Sequence, residues 1–374
     1  MGRQVKESLT VSPYLLWFLI HGTQTGTATL IFQSRIIQGA EMDSWVSLLA
    51  VGLCFHLLIG MIFYVLRHSA DGDMMSLHRR LFGKGLGKAV TIGFYGYILL
   101  FAVHEFRSYV EVIHVWVFPH MPLRVLSFLF VLTASYLVSG GLRVIAGISL
   151  VCVALPTLLI PTLYFPLKYA HWSNFLPLFN HGARDYLVSA GHSLSPFLGI
   201  EFLLLLYPFV KNKPQARKWA HVANAHSIVI YLFILFVTFA FFNIRQLEHT
   251  IWPTLILSKV IRFPFMERFD YIYIFAWLLV IMPRCCVAIW GGVRVLRSTF
   301  ALRARPALWI TSGAVIAAML PLKSPMTIEK LDFLLSAAGG ILLLGYIPLL
   351  FLWVFAVKHF KNKAGGGNES LENG

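Results

Sequence analysis

The sequence predicts an all-α integral membrane protein with ten transmembrane helices, arranged as two inverted five-helix repeats in which helices one and six are broken. Three observations predict it. First, 58% of the 374 residues are hydrophobic and 13% are charged, against roughly 25% charged in an ordinary soluble domain. A spanning helix needs about 20 apolar residues, so the apolar content fills about ten spans and leaves little for anything else. Second, polar interruptions rich in glycine or proline fall in spans one and six. Third, basic residues concentrate in alternate connections. The composition excludes a disordered chain, a disulfide scaffold and a soluble enzyme.

Residues 1–12 are polar and read as a cytoplasmic N-terminus, with no cleavage site after the first apolar run. One membrane domain then covers 13–358, with repeats at about 13–167 and 183–357. Span one, 13–37, is interrupted by Gly22-Thr23-Gln24-Thr25-Gly26-Thr27, and span two covers 44–66. The polar stretch 67–88 holds an amphipathic surface helix at 76–86. Spans three, four and five cover 89–118, 123–138 and 142–167. Span six, 183–210, is interrupted at Ser195-Pro196-Phe197-Leu198-Gly199, and span seven covers 216–242. A long connection follows, and spans eight, nine and ten are 269–296, 307–322 and 333–357. The basic, then Gly/Asn/Glu-rich tail 359–374 reads as a disordered cytoplasmic segment. Cys54, Cys152, Cys285 and Cys286 lie inside apolar runs and read as small buried hydrophobes.

With ten spans both termini share a side. If that side is the cytoplasm, inner segments carry 19 basic residues and outer segments 10, with Arg107 and Arg284 inside spans. The asymmetry places both termini inside. The net charge of +15 therefore belongs to topology and the anionic face of the bilayer, and no nucleic acid is implied.

Breaks in helices five spans apart are the pattern of an inverted repeat with a site at the bilayer midplane. An unwound stretch frees N–H and C=O groups that cannot face lipid, so they line a cavity or meet a ligand. The half-helix ends add partial charges of both signs, which suit a zwitterion such as a free amino acid. For Gly22 and Gly26 the alternative is close packing between helices.

Glu105, Arg107, Glu111, Glu201 and Arg284 are ionisable groups at membrane depth, where each needs a partner or water. Tyr97, Phe101 and Glu105 are spaced by four and share a helix face; this face is expected to meet the central cavity, with the aromatic rings covering a ligand side chain or simply packing. Glu201, just after Gly199, reads as a cap on freed N–H groups or an ion-pair partner, or as a direct ligand or proton group. Arg284 follows Pro283 and is always charged. It can stand in for a coupling cation, grip a ligand carboxylate, or pair with Glu105 or Glu201. No metal-ligand spacing, cofactor loop or catalytic motif is present; His104 and His192 are the two histidines adjacent to these features.

Four stretches carry a family resemblance. They are Ser12-Pro13-Tyr14 ahead of the first break; Phe197-Leu198-Gly199-Ile200-Glu201 with Tyr207-Pro208; Thr250-Ile251-Trp252-Pro253-Thr254 followed by Glu267-Arg268-Phe269-Asp270 and Trp277; and Tyr97, Glu105 and Arg107 in span three. Over about residues 10–360 the chain resembles the spore germination permeases, the B subunits of bacterial germinant receptors, within the amino acid–polyamine–organocation transporter superfamily. The resemblance implies the ten-helix, LeuT-like fold of amino-acid transporters. It implies residence in a spore inner membrane or cell membrane, and binding of a small nutrient, often an amino acid. It also implies work with an A subunit and a lipoprotein C subunit to control ion release. The chain departs from that pattern in a more polar first break, in His21 at its edge, and in Pro283-Arg284. Glycines 22 and 26, Thr23, Gln24, Thr25, Tyr97, Phe101, Phe197, Leu198, Gly199 and Arg284 are the expected ligand-binding residues. Glu105, Glu201 and Arg107 are the expected buried charges. A secondary active amino-acid transporter is the alternative function.

Overall fold

An apolar chain at membrane depth has no water to satisfy its backbone, so it satisfies N–H and C=O groups within helices. The computed structural model follows this rule. It describes residues 7–69, 72–264 and 268–365. Residues 1–6 of the expected N-terminus, Glu267 of the quoted outer motif and 366–374 of the tail lie outside the described residues.

The principal helices are α1 (Leu15–Gln24), α2 (Ala28–Ala40), α3 (Ser44–Arg67), α4 (Met74–Trp116), α5 (Leu123–Ser139), α6 (Leu142–Thr157), α7 (Ala183–His192) and α8 (Leu194–Phe197). They continue as α9 (Lys213–Phe241), α10 (Asp270–Phe300), α11 (Ala304–Met319), α12 (Pro325–Gly340) and α13 (Ile347–Gly365), with a π-helical stretch Ile341–Tyr346 joining the last two. Among the described residues six helices are each long and apolar enough to cross a membrane, or seven if Ala183–His192 and Leu194–Phe209, bent by 42°, are taken as one. The helices α1, α5 and α11 are shorter, at 10, 17 and 16 residues.

Lipid tails are as apolar as leucine, so close packing and buried hydrogen bonds hold such helices together. At the α2–α7 contact a Cβ added to Gly39 would lie 2.2 Å from the Asp185 carbonyl oxygen. Beside it Ser189 Oγ donates to the Ile36 carbonyl at 2.6 Å and accepts from the Ala40 N–H at 2.8 Å. Helix α1 packs between α6, α9 and α10. The segment before α1 pairs with the end of the sixth apolar run: the Val11 N–H donates to the Phe209 carbonyl at 2.8 Å, and the Lys211 N–H to the Val11 carbonyl at 3.1 Å.

Several boundaries differ from the sequence reading. The first interruption is shorter than Gly22–Thr27. Gly22, Thr23 and Gln24 stay helical, and only residues 25–27 leave the helix, because Gly22 packs against Pro283 of α10 and Thr23 Oγ1 returns a hydrogen bond to the Ile20 carbonyl. The surface helix starts slightly earlier, at Met74, and α4 is in fact two helices that meet at a kink: Gly83, with φ +77° and ψ −177°, parts the surface helix from span three. The last helix runs to Gly365. Cysteines 152, 285 and 286 are buried, but Cys54 is exposed, since it shares the outward face of α3 with Leu53 and Leu57.

Candidate functional site

The site is built where the two helix interruptions meet. After α8 the chain turns extended at Leu198, and Gly199 takes φ +126°. A Cβ there would stand 2.4 Å from the Thr23 carbonyl oxygen, so both the dihedral and the close approach require glycine. Thr23 Oγ1 reaches the Gly199 carbonyl at 3.3 Å. The freed Gly199 N–H donates to Glu201 Oε2 at 2.8 Å, and the Tyr97 hydroxyl donates to Glu201 Oε1 at 2.6 Å. Glu201 thus closes the interruption and ties it to α4.

Because α1 stops at Gln24, that residue's carbonyl has no intrahelical partner. It accepts instead from the Tyr231 hydroxyl at 2.8 Å and from Arg284 Nη1 at 3.2 Å. The Gln24 side chain is held on both ends: Nε2 donates to Asn224 Oδ1 at 2.9 Å, and Oε1 accepts from Ser227 Oγ at 2.8 Å.

Arg284 is fully buried. Its Nε lies 3.1 Å from Glu105 Oε1, and its guanidinium sits 4.4 Å over the Phe101 ring, a cation–π distance. Its Nη2 is buried without a hydrogen-bond partner among the described residues. Glu105 Oε2 accepts from the N–H and Oγ1 of Thr27, both at 3.2 Å. A Cβ on Gly26 would fall 2.6 Å from both Arg284 Cδ and Glu105 Oε2, so the ion pair closes directly over this glycine. From Glu105 the charges continue outward. His104 lies 3.1 Å from Glu105 Oε1 through Nδ1 and 3.2 Å from Asp332 Oδ1 through Nε2, and Asp332 pairs with Arg35.

The structure therefore brings together Thr23, Gln24, Gly26, Tyr97, Phe101, Gly199, Glu105, Glu201 and Arg284. The Phe197 carbonyl joins them by accepting from Gln24 Nε2 at 3.4 Å, while the Phe197 ring packs on Phe55 and Tyr231, at 5.3 and 5.6 Å between ring centroids. Three others are not brought in. Leu198 turns to Gly339, and Gly22 to Pro283. Arg107 is away from the centre: it pairs with Glu111 at 2.7 Å and donates from Nε to the Leu322 carbonyl at 2.6 Å. Phe101 faces the Arg284 guanidinium, and Tyr97 bonds Glu201, so both rings have partners within the protein.

Beside the first interruption lies a cavity of about 80 Å³ between α1, α6, α9 and α10, lined among others by His21, Thr25, Thr29, Thr157, Tyr273 and Trp277. Trp277 Nε1 is buried without a hydrogen-bond partner among the described residues. The outer motif reaches this region too: Thr254 Oγ1 donates to the Thr29 carbonyl at 2.8 Å and accepts from Gln33 Nε2 at 2.7 Å. Sequence reasoning missed Asp332, Asn224, Ser227 and Tyr231. The last three were signalled by polar positions at i, i+3 and i+7 in an apolar helix, one face of α9.

Comparison with known proteins agrees with this architecture. The family model described as "Spore germination protein" matches residues 10–328. Spore germination protein GerQB of Bacillus cereus is 31% identical over 350 residues, covering 94% of this chain and 97% of that protein. Spore germination protein B2 of Bacillus subtilis is 21% identical over 94% of this chain and 96% of its own length. Among solved structures, Mhp1, a nucleobase-cation-symport-1 family transporter in a closed conformation with bromovinylhydantoin bound, superposes with a TM-score of 0.64. It covers 91% of this chain and 78% of its own at 13% identity. At that identity the likeness shows the fold alone, an all-α membrane transporter fold. With 31% identity along nearly the whole of a named relative and a family match over most of its length, the chain belongs to the spore germination permease family.

Proposed function

We propose that this chain is the membrane subunit of a spore germinant receptor, and that it binds a small nutrient, an amino acid, where the two interrupted helices meet. The observation that carries the proposal is the Arg284 environment: a buried guanidinium on the freed Gln24 carbonyl and on Glu105, with Nη2 unpartnered. A ligand carboxylate satisfies that donor. A ligand side chain of modest size suits the cavity of about 80 Å³ lined by Thr25, the residue after Gln24, which is far smaller than the roughly 300–1,000 Å³ of drug-sized sites.

In this reading the ten apolar segments form two inverted five-helix repeats with broken helices one and six, and both termini are cytoplasmic. The protein resides in the spore inner membrane. Binding favours one packing of the repeats over another, and the A subunit and lipoprotein C subunit read that difference. Arg284 occupies the place between a freed carbonyl and a carboxylate that a coupling cation would need. The subunit therefore senses its ligand without ion coupling.

The second reading is a secondary active amino-acid transporter, whose fold this chain shares. A thermal-shift screen of the purified subunit against amino acids, nucleosides and sugars tests the ligand class, since a ligand of the folded state raises apparent stability. The proposal expects a saturable shift with one or a few amino acids. A screen in which none produces a shift counts against it.

A further inference from the structure

At the end of the bundle that carries the N-terminal segment, a cavity of about 440 Å³ opens between α5, α6, α10 and α11. Arg143, Arg294, Arg297 and Arg305 line it, and no acidic residue among the described ones does. Arg294 is fixed in place: Nη2 donates to Asp73 Oδ1 at 2.8 Å, and the guanidinium lies 4.4 Å over the Phe209 ring. Its Nε is buried with no hydrogen-bond partner among the described residues. Arg143 is oriented by two backbone carbonyls, with Nε to Thr10 at 3.0 Å and Nη2 to Glu7 at 2.7 Å. Arg297 and Arg305 are exposed and have neither an ion pair nor a hydrogen bond among the described residues.

Two helix N-termini end on the same cavity. Helix α6 starts at Leu142 after Gly141, φ +82°, and α11 starts at Ala304 after Arg303, and neither has a side-chain cap. Each leaves N–H groups and a partial positive charge directed at the space between them. Four guanidinium groups repel each other; of the nearby carboxylates Asp73 pairs with Arg294 and Glu7 with Lys211, and a multivalent anion relieves the remaining repulsion. The neighbouring surface is apolar: Val144, Trp309 and Ile310 are 40%, 61% and 49% exposed, so acyl chains can run beside a headgroup held in the cavity.

We propose that this cavity binds a phosphate-bearing anion, and that the phosphate of an anionic lipid headgroup is its occupant. Arg294 and Arg143 are pre-oriented, Arg297 and Arg305 close on the ligand, and the helix N-termini add N–H donors. The site is separate from the helix interruptions, and its occupancy does not depend on the germinant reading.

The test uses the purified full chain in micelles doped with phosphatidylglycerol, cardiolipin or phosphatidylcholine, with inorganic phosphate and pyrophosphate titrated separately, and with ligand-induced stabilisation as the readout. The Arg297→Gln/Arg305→Gln variant removes two exposed, unpaired arginines. Arg124→Gln/Arg245→Gln, also exposed, removes the same charge elsewhere. The expected result is tighter binding of the anionic lipids than of phosphatidylcholine, weakened in the first variant by about fivefold for each arginine and unchanged in the second. Saturable stabilisation by phosphate or pyrophosphate with no lipid preference, lost in the first variant alone, supports the phosphate site and names a soluble occupant. Equal binding by wild type and the first variant, or equal loss in both variants, overturns the proposal.

Discussion

Replacing Arg284 with glutamine removes the positive member of a pair that is wholly shielded from solvent. In the variant, Glu105 keeps its two contacts from Thr27 at 3.2 Å and its neighbour His104 at 3.1 Å but loses the guanidinium at 3.1 Å. The Gln24 carbonyl keeps Tyr231 at 2.8 Å, and a glutamine amide can replace Arg284 Nη1 there. The main loss is therefore the stranded carboxylate. Breaking a buried pair from one side costs about 3–5 kcal/mol, and the retained Thr27 contacts put this case near the lower end, about 3 kcal/mol. Arg284→Gln/Glu105→Gln leaves no stranded charge and should recover about 2 kcal/mol of that loss. Denaturant melts of the wild type, both single variants and the double variant in detergent form the cycle that isolates the coupling. A single variant as stable as wild type, or a double variant no more stable than Arg284→Gln, refutes the assignment of this pair as the closure of the first interruption.

Three more substitutions follow from the same geometry. Gly26→Ala places a methyl 2.6 Å from Arg284 Cδ and Glu105 Oε2 and should destabilise by about 1–3 kcal/mol; Gly93→Ala, which meets nothing within 4 Å, should be neutral or slightly stabilising, and equal melts for the two would contradict the close approach. Gly199→Ala combines φ +126° with a contact of 2.4 Å, so a loss of about 2 kcal/mol or more is expected, together with loss of ligand-induced stabilisation; a variant that melts and responds like wild type would show that the two interruptions do not touch. Tyr97→Phe leaves Glu201 Oε1 without its 2.6 Å donor and should lower stability by about 1–3 kcal/mol, whereas the same change at exposed Tyr136 should be silent in the same melt.

The parts of this arrangement that sequence made legible are those with a local cause. Ten apolar runs are visible because a spanning helix requires them, and the glycine in each interruption and five charges in apolar surroundings stand out because lipid tolerates neither freed backbone nor charge without a reason. Gly199 and Glu201 stand two apart, and the glycine N–H meets that carboxylate. What sequence hid is non-local. Gly22 looks like part of an interruption, but it lies within α1, packed against the Pro283 side chain of α10. Asp332 sits at the edge of an apolar run and reads as a loop acid. It is buried because α2, α4 and α8 bring Arg35, His104 and Ser195 to it. Phe101 and Tyr97 share a face as expected, but a buried guanidinium and a buried carboxylate claim them, which spacing alone does not reveal. Cys54 shows the converse limit, since an apolar helix presents small hydrophobes to lipid as readily as to the core.

If the Arg284 guanidinium takes the place of a coupling ion, ligand binding is independent of one. Uptake of labelled amino acid by proteoliposomes containing this chain alone, with imposed sodium or proton gradients, tests it most directly. The expected result is binding of the same affinity with and without sodium and no accumulation above equilibrium. Gradient-driven accumulation, or binding that requires sodium, would contradict it.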